Sequence, residues 1–339
     1  MDNVRIGIIG SGFMGRTNAE TVTRYLKHSE LKAITGGSRA AALAAEYGVD
    51  AESSVESLLQ RRDIDAVLIS TPHCEHASQA IAAAGAGKHI LLDKPMATSV
   101  ADCDRILTAV SSARVKLMIM YGQRFRTCNV EAHRLIHDGA IGDVRMILEL
   151  ILASGRLASL PPWQNRSENV GTFLGHAVHN IDRIRWLTGA EITSVSARMQ
   201  RDPNTGVEDS TMAVLSLSNG AMATIWESWN IQPPAFPRSG SGAWIAGSTG
   251  NLDLDAYGTL RLGRGADWSI VGEQPAIDWK GQGMLAPVRM HAYQLQHQEF
   301  VDAIRENREP SVTGKDGRAA VAVAEAAYRS AQEGRTVCL

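Results

Sequence analysis

The chain is poor in the features that mark most special-purpose proteins. Its four cysteines, Cys74, Cys103, Cys128 and Cys338, are scattered along 339 residues with no C-x-x-C pair. That gives no zinc or redox motif, and buried, inert thiols are the default expectation. Net charge is small: 34 Lys and Arg oppose 36 Asp and Glu, giving −2 with histidine neutral. No broad electrostatic attraction to nucleic acid or to an anionic membrane surface follows. Long apolar runs are missing, since nothing approaches the roughly 20 residues that a membrane span needs. The opening stretch MDNVRIGIIGSGFMGRT turns glycine-rich too early, after too short an apolar run, for a secretory signal. Repeats and low-complexity segments are absent too. The expectation is a cytoplasmic globular protein with neither nucleic-acid nor membrane partners.

What is present is ordinary apolar material, 44% hydrophobic against 21% charged, in a chain long enough for two domains. Val4 to Ile9 is a short apolar run that ends directly at Gly10-Ser11-Gly12-Phe13-Met14-Gly15, and a helix-like stretch, Arg16 to Lys27, follows. A strand, G-x-G-x-x-G and a helix in that order make a dinucleotide-binding turn. Gly10 is expected to permit the tight turn, Gly12 to let the backbone approach a pyrophosphate, and Gly15 to let helix and strand pack closely. The helix N-terminus offers N–H groups and partial positive charge to the phosphates. Residues 10 to 15 are therefore all assigned to the cofactor.

Helix and strand then alternate. Leu31–Thr35, Ala66–Ser70, His89–Leu92 and Lys116–Met120 read as further strands; Arg39–Tyr47, His76–Ala86 and Val100–Ala113 read as helices. That rhythm implies a parallel sheet with crossover helices, so the loops at Gly10, Gly36, Thr71 and Lys94 face one crevice. About 20 residues past the glycine turn, an NAD site usually places an acid. Here the sequence reads Gly36-Gly37-Ser38-Arg39. A hydroxyl and an arginine suit a ribose 2′-phosphate, so NADP is expected in preference to NAD. Ser38 also suits the N-cap of the next helix, and the two readings are compatible.

Together these motifs resemble the glucose-fructose oxidoreductase / inositol dehydrogenase / MocA-like family over nearly the whole chain. The marks are Gly10-x-Gly12-x-x-Gly15, Thr71-Pro72-x-x-x-His76, Gly87-Lys88-His89-x-x-x-Asp93-Lys94-Pro95, Gly171-Thr172, Val178-His179-x-x-Asp182, Arg185-Trp186-Leu187, Phe300-Val301-x-Ala303-Ile304 and Val312-Thr313-Gly314-x-Asp316-Gly317. The resemblance implies an α/β protein. A Rossmann dinucleotide-binding domain would span 1–121, and an α+β domain with an open, mainly antiparallel sheet would span 122–339 and serve substrate binding and oligomerisation. It also adds Thr71, Pro72, His76, Asp93 and Lys94 to the cofactor site. Asp93 stands where the family usually has Glu. Lys94 would lie near nicotinamide ribose and substrate hydroxyl, with a cis Lys94–Pro95 bond. A cation there steadies the oxygen that becomes or stops being a carbonyl.

His179 is the matching general acid/base, because a neutral imidazole takes a hydroxyl proton near pH 7. Leu174 to Leu187 reads as a helix, on which His176 and His179 share a face with Asn180 and Arg183. No third ligand is placed by the sequence and metalloprotease spacing is i, i+4, so no metal is expected. The family usually has Asp four residues before this histidine and Gly two before it; here Gly175 and Ala177 stand there. Either His176 takes over the substrate-orienting role, or the substrate is something other than a plain sugar, such as an anionic or aromatic-derived diol.

From Asp143 the pattern changes to consecutive strands with short turns. They are Asp143–Leu152, Val195–Met199, Thr211–Leu217, Ala221–Trp229, Ala243–Gly247, Asn251–Asp255 and Thr259–Leu262, an open antiparallel or mixed sheet. One face is expected to pack on helices Asn129–Asp138 and Gly175–Leu187. The other, assigned Ala213, Leu215, Leu217 and Ile225, needs cover, which a homodimer or homotetramer would supply. Arg124, Asn165 and Asp182 join His176 as expected substrate contacts; Trp163, Trp226 and Trp229 suit either pocket or core. The segment 233–242 reads as a loop suited to a lid, and two helices, Tyr293–Asn307 and Gly317–Gln332, close the chain.

The expected activity is hydride transfer between NADP or NAD and a hydroxyl or carbonyl carbon of a cyclic polyol, sugar derivative or dihydrodiol. The alternatives are a redox-neutral hydrolase that retains NAD, and a non-catalytic dinucleotide sensor. Lys94 and His179 argue against the sensor, since binding requires neither.

Overall fold

A computed structural model of the chain describes residues 3–154, 162–165, 169, 171–203, 205–234, 236, 239–277 and 283–339. The chain divides into two compact units, Met1–Gly122 with Asp278–Arg318, and Gln123–Ile277 with Ala319–Leu339. The boundary drawn at 121/122 from the sequence does not contain this late return to the first unit.

The first unit holds β1 (Val4–Ile9), α1 (Phe13–Arg24), β2 (Ser29–Thr35), α2 (Ala40–Tyr47), β3 (Asp50–Ala51), α3 (Val55–Gln60), β4 (Ala66–Ile69), α4 (His76–Gly85), β5 (His89–Leu92), α5 (Val100–Ala113) and β6 (Leu117–Ile119). The strands form one parallel sheet in the order β3-β2-β1-β4-β5-β6. Val4, Ile6, Ile8 and Ile9 of β1 and all of β4 are buried, as a sheet covered on both faces requires. The sequence predicts five strands here, and the structure has six. β3 is two exposed residues, so no apolar pattern betrays it. The helix after it, α3, starts with a capping box between Ser54 and Ser57.

The second unit holds α6 (Thr127–His137), β7 (Val144–Ser154), a π-helical turn Phe173–Ala177 running into α7 (Val178–Thr188), then β8 (Ile192–Arg201), β9 (Glu208–Leu217), β10 (Met222–Ile231), β11 (Ser241–Gly247), β12 (Asn251–Asp255), β13 (Thr259–Arg264) and β14 (Asp267–Glu273). With β15 (Val337–Cys338), they make a nine-stranded sheet in the order β14-β13-β12-β11-β7-β10-β9-β8-β15. Only β7 and β10 run parallel, so the sheet is mainly antiparallel, as expected. Of the last two helices, α8 (Pro287–Arg305) belongs to the first unit and packs there on α1, and α9 (Gly314–Glu333) begins in the first unit and ends in the second.

One expectation fails by parity. Ala213, Leu215, Leu217 and Ile225 are buried at 4% exposure or less, on the side that α6 and α7 cover. Side chains alternate along a strand, so the uncovered face carries their neighbours instead. Met146, Met212, Val214, Met222, Trp226, Trp244, Trp268 and Ile270 there are each at least 42% exposed. No helix among the described residues is long and apolar enough to cross a membrane.

Candidate active site

In the first unit the loops at Gly10, Gly36, Thr71 and Lys94 follow the C-terminal ends of β1, β2, β4 and β5, which a parallel sheet places along one edge. Gly10 has φ +117°, and a Cβ there would meet the Ser70 carbonyl oxygen at 2.4 Å. A Cβ on Gly15 would stand 2.0 Å from the Gly10 carbonyl oxygen. Both glycines are therefore demanded by the turn itself. Gly12 is different: its φ is −78° and the nearest atom to a built Cβ is Arg39 Nη2 at 3.7 Å. Nothing among the described residues needs glycine at that position, whereas a close-lying ligand would.

Gly12 caps α1 without a side-chain hydrogen bond, and no acidic residue stands in the first turn. The N–H groups and positive end of the helix are thus left uncompensated by side chains. Those features fit a dinucleotide pyrophosphate held over Ser11 to Gly15. Ser11 Oγ donates to the Gly36 carbonyl at 2.6 Å, tying the glycine turn to the loop after β2. There Ser38 and Arg39 are exposed. Helix α2 begins after Arg39, not Ser38, and takes no side-chain cap, so the N-cap reading of Ser38 fails.

The loop after β4 is braced by His76. Its Nδ1 lies 2.8 Å from the Pro95 carbonyl oxygen and its Nε2 3.0 Å from that of Thr71. The ring is fully buried and ties the Thr71-Pro72 loop to the Lys94-Pro95 loop. Burial holds it below the usual histidine range, against the pull of Asp93 and the two carbonyls. Thr71 Oγ1 donates to Gln79 Oε1 at 2.7 Å. Asp93 accepts from the Lys94 N–H at 2.8 Å, and desolvation raises its carboxyl while Lys94 and His76 oppose the rise. The Lys94–Pro95 bond is cis, as expected.

In the second unit His176 and His179 are both half-buried. The helix expected from Leu174 begins instead as the π turn, which displaces His176 from the α-helical register that the shared-face reading assumes. His176 stacks on Trp229 with ring centroids 3.8 Å apart, and its Nδ1 lies 3.2 Å from the Thr172 carbonyl oxygen. Trp226, three residues before Trp229, points to the opposite face of the sheet and is 42% exposed. Trp229 is thus placed beside a candidate histidine.

Helix α7, which carries His179, is pinned by buried polar groups, of which the sequence reading passed over Glu149. Glu149 of β7 takes Arg183 and Asn180, with Arg183 Nε at 3.0 Å and Asn180 Nδ2 at 2.8 Å. Arg124 forks onto Asp182, Nε to Oδ2 at 2.9 Å and Nη2 to Oδ1 at 2.5 Å. The Asp182 side chain is 0% exposed, and the pair helps to hold α7 in place. The side chain of Asn165 lies outside the described residues, as does part of the expected lid, residues 235, 237 and 238.

Two further carboxylates lie under the π turn. Glu208 accepts from the Phe173 N–H at 2.9 Å and from Tyr328 Oη at 2.5 Å. Thr172 Oγ1 stands 2.9 Å from the Glu208 carbonyl oxygen and 3.2 Å from Glu227 Oε2. Its one proton goes to the carbonyl, which can only accept, so the second contact is a hydrogen bond only if Glu227 carries a proton. Burial, reinforced by Glu208, holds Glu227 well above the usual carboxylate range in agreement. A glutamate at an inward strand position, as in Met-Ile-Leu-Glu149-Leu and Ile-Trp-Glu227-Ser, is the signal that would have found these groups.

Residues 4–121 match the description "Oxidoreductase family, NAD-binding Rossmann fold", and 133–339 match "Oxidoreductase family, C-terminal alpha/beta domain". The chain belongs to the Gfo/Idh/MocA oxidoreductase family. It is accordingly a nicotinamide-dependent dehydrogenase or reductase. An inositol 2-dehydrogenase of Rhizobium meliloti (strain 1021) is 28% identical over 345 residues, covering 99% of both chains. A 2,7-anhydro-N-acetylneuraminate hydratase of Mediterraneibacter gnavus is 26% identical, covering 100% of this chain and 97% of that protein. Among solved structures, aldose-aldose oxidoreductase from Caulobacter crescentus, complexed with glycerol, aligns with TM-score 0.83 and 27% identity over 99% of this chain and 100% of that one. This family member thus shares its whole length with proteins that act on polyols and sugars.

Proposed function

We propose that this family member transfers a hydride between NADP or NAD and a hydroxyl-bearing carbon of a cyclic polyol, sugar derivative or dihydrodiol. The observation that carries the reading is the braced loop after β5. His76 and Asp93 fix Lys94 at the sheet edge where the glycine turn also lies, and a lysine so held is more than a solvated strand end. Bound nicotinamide supplies the hydride acceptor or donor. In oxidation His179 takes the hydroxyl proton, and in reduction it returns it. The Lys94 ammonium donates a hydrogen bond to the oxygen as it gains carbonyl character. His176, backed by Trp229, presents an aromatic surface in place of the family's usual carboxylate, which favours a substrate with an apolar face or an anionic group over a plain polyol.

Several features support the finer parts of this proposal. Exposed Ser38 and Arg39, with no acid between Gly36 and Arg39, favour the 2′-phosphate of NADP. The uncovered apolar sheet face favours a homodimer or homotetramer, which Trp226→Glu would dissociate in light scattering. One relative is named a hydratase, a reaction without net oxidation, and that favours a redox-neutral cycle as the second reading.

A panel of inositols, sugars and dihydrodiols followed at 340 nm separates the two. Net reduction of the cofactor, lowered about 10²–10⁴-fold in His179→Ala with cofactor affinity kept, supports the dehydrogenase. Product formation with no absorbance change supports the redox-neutral reaction.

A further inference from the structure

Arg289 is 2% exposed, and it lies against the first turn of α1, although the glycine motif gives no hint of it. It stands on α8, in the segment that returns to the first unit. Its Nη1 donates to Thr17 Oγ1 at 3.2 Å and to the Met284 carbonyl oxygen, and its Nη2 donates to Tyr293 Oη at 3.2 Å. Its remaining contacts are the thioether sulfurs of Met14 and Met290, at 4.0 and 3.9 Å. The guanidinium carbon lies 4.8 Å from the Phe13 ring centroid and 4.6 Å from that of Tyr293. Every partner is neutral. Among the described residues no carboxylate pairs with this arginine.

A buried guanidinium normally keeps an anion, because taking a lone cation out of water is unfavourable. Here the cation lies beside Phe13 and Met14, the first two residues of a helix whose N-terminus is itself positive and holds no acid. Two uncompensated positive features side by side are stable only poorly on their own. An anion at the glycine turn compensates both. We propose that Arg289 supplies the fixed positive charge of the dinucleotide-phosphate site, delivered by α8 to the side of α1's first turn. This rests on the dinucleotide reading and adds to it the residue that makes the site electrostatically selective for phosphate. Two aromatic rings within 5 Å of the guanidinium carbon and three neutral acceptors hold it in one orientation, so the charge is in place before the ligand arrives.

The test compares Arg289→Gln, which keeps hydrogen-bonding capacity without charge, with Arg289→Lys, which keeps charge without the planar fork. Dissociation constants for NADH, ADP and adenosine are measured by nicotinamide fluorescence and competition, and melting temperatures are taken without ligand. In Arg289→Gln, affinity for NADH and ADP is expected to fall by at least about tenfold, adenosine being unaffected, while Arg289→Lys stays within about threefold of wild type. The ligand-free melting temperature of Arg289→Gln should match or exceed that of wild type. Equal behaviour of the two variants, or equal loss for adenosine and ADP, would overturn the proposal. So would a ligand-free Arg289→Gln protein several degrees less stable than wild type, since the arginine would then be a strut between α1 and α8. Failure of the wild type to bind NADH or ADP would instead sink the dinucleotide reading itself.

Discussion

The motif gives Gly12 and Gly15 different jobs, and a pair of alanine variants exposes the difference. At Gly15 a Cβ would sit 2.0 Å from the backbone oxygen of Gly10, and neither helix nor turn has a flexible atom to move aside. Overpacking of that kind costs about 1–3 kcal/mol. For a unit of this size that lowers the melting temperature by roughly 2–4 °C per kcal/mol. At Gly12 the backbone is at φ −78°, and a Cβ has 3.7 Å to its nearest neighbour. Alanine there is strain-free and restricts the unfolded chain, so stability should hold or rise by about 0.4–1 kcal/mol. The same methyl projects where the pyrophosphate must approach, and NADH affinity should fall at least about tenfold, roughly 1.4 kcal/mol. Calorimetry without ligand and nicotinamide fluorescence titration give both numbers for both variants. A Gly12→Ala protein that binds NADH like the wild type would refute the reasoning, as would a Gly15→Ala protein that melts with it.

Three more outcomes are expected. Glu149→Ala leaves the buried Arg183 without its anion, and urea unfolding should show a loss of about 3–5 kcal/mol. Glu227 has a folded-state pKa raised by burial, so its contribution to stability is complete below the ordinary glutamate value and is lost as pH rises through the folded one. Each unit of that rise is worth about 1.4 kcal/mol, and Glu227→Gln should remove the dependence. The variant's melting temperature would then fall less than the wild type's between about pH 5 and pH 8, and an identical fall in both would exclude the assignment. Arg39→Ala should weaken NADPH binding by about tenfold and leave NADH nearly unchanged; equal losses would show that Arg39 does not read the 2′-phosphate.

The first unit was legible because its signals are local. Apolar runs such as Val4–Ile9 and Ala66–Ile69 are buried on both faces, and the glycine turn needs specific backbone at Gly10. β3, β14 and β15 escaped notice for the opposite reason: two are only two residues long, and β14 buries no side chain, so none leaves a period to detect. The second sheet was found, but its sides were exchanged, because period-two alternation shows that two faces differ and not which one the helices cover. The site followed the same division. The loops of Lys94 and Gly12 are where a strand–turn–helix pattern must put them. The Arg124–Asp182 pair, the Glu149 anchor, the Glu227 proton and Arg289 depend on contacts between residues from 31 to 275 positions apart, which no local pattern encodes.

The most direct test is titration of the purified protein with NADPH and NADH, with nicotinamide fluorescence and turnover of the hydroxyl-substrate panel read in the same samples. The account predicts binding of both, tighter for NADPH, and oxidation of at least one diol or sugar that His179→Ala lowers about 10²–10⁴-fold. Binding of neither cofactor would contradict it.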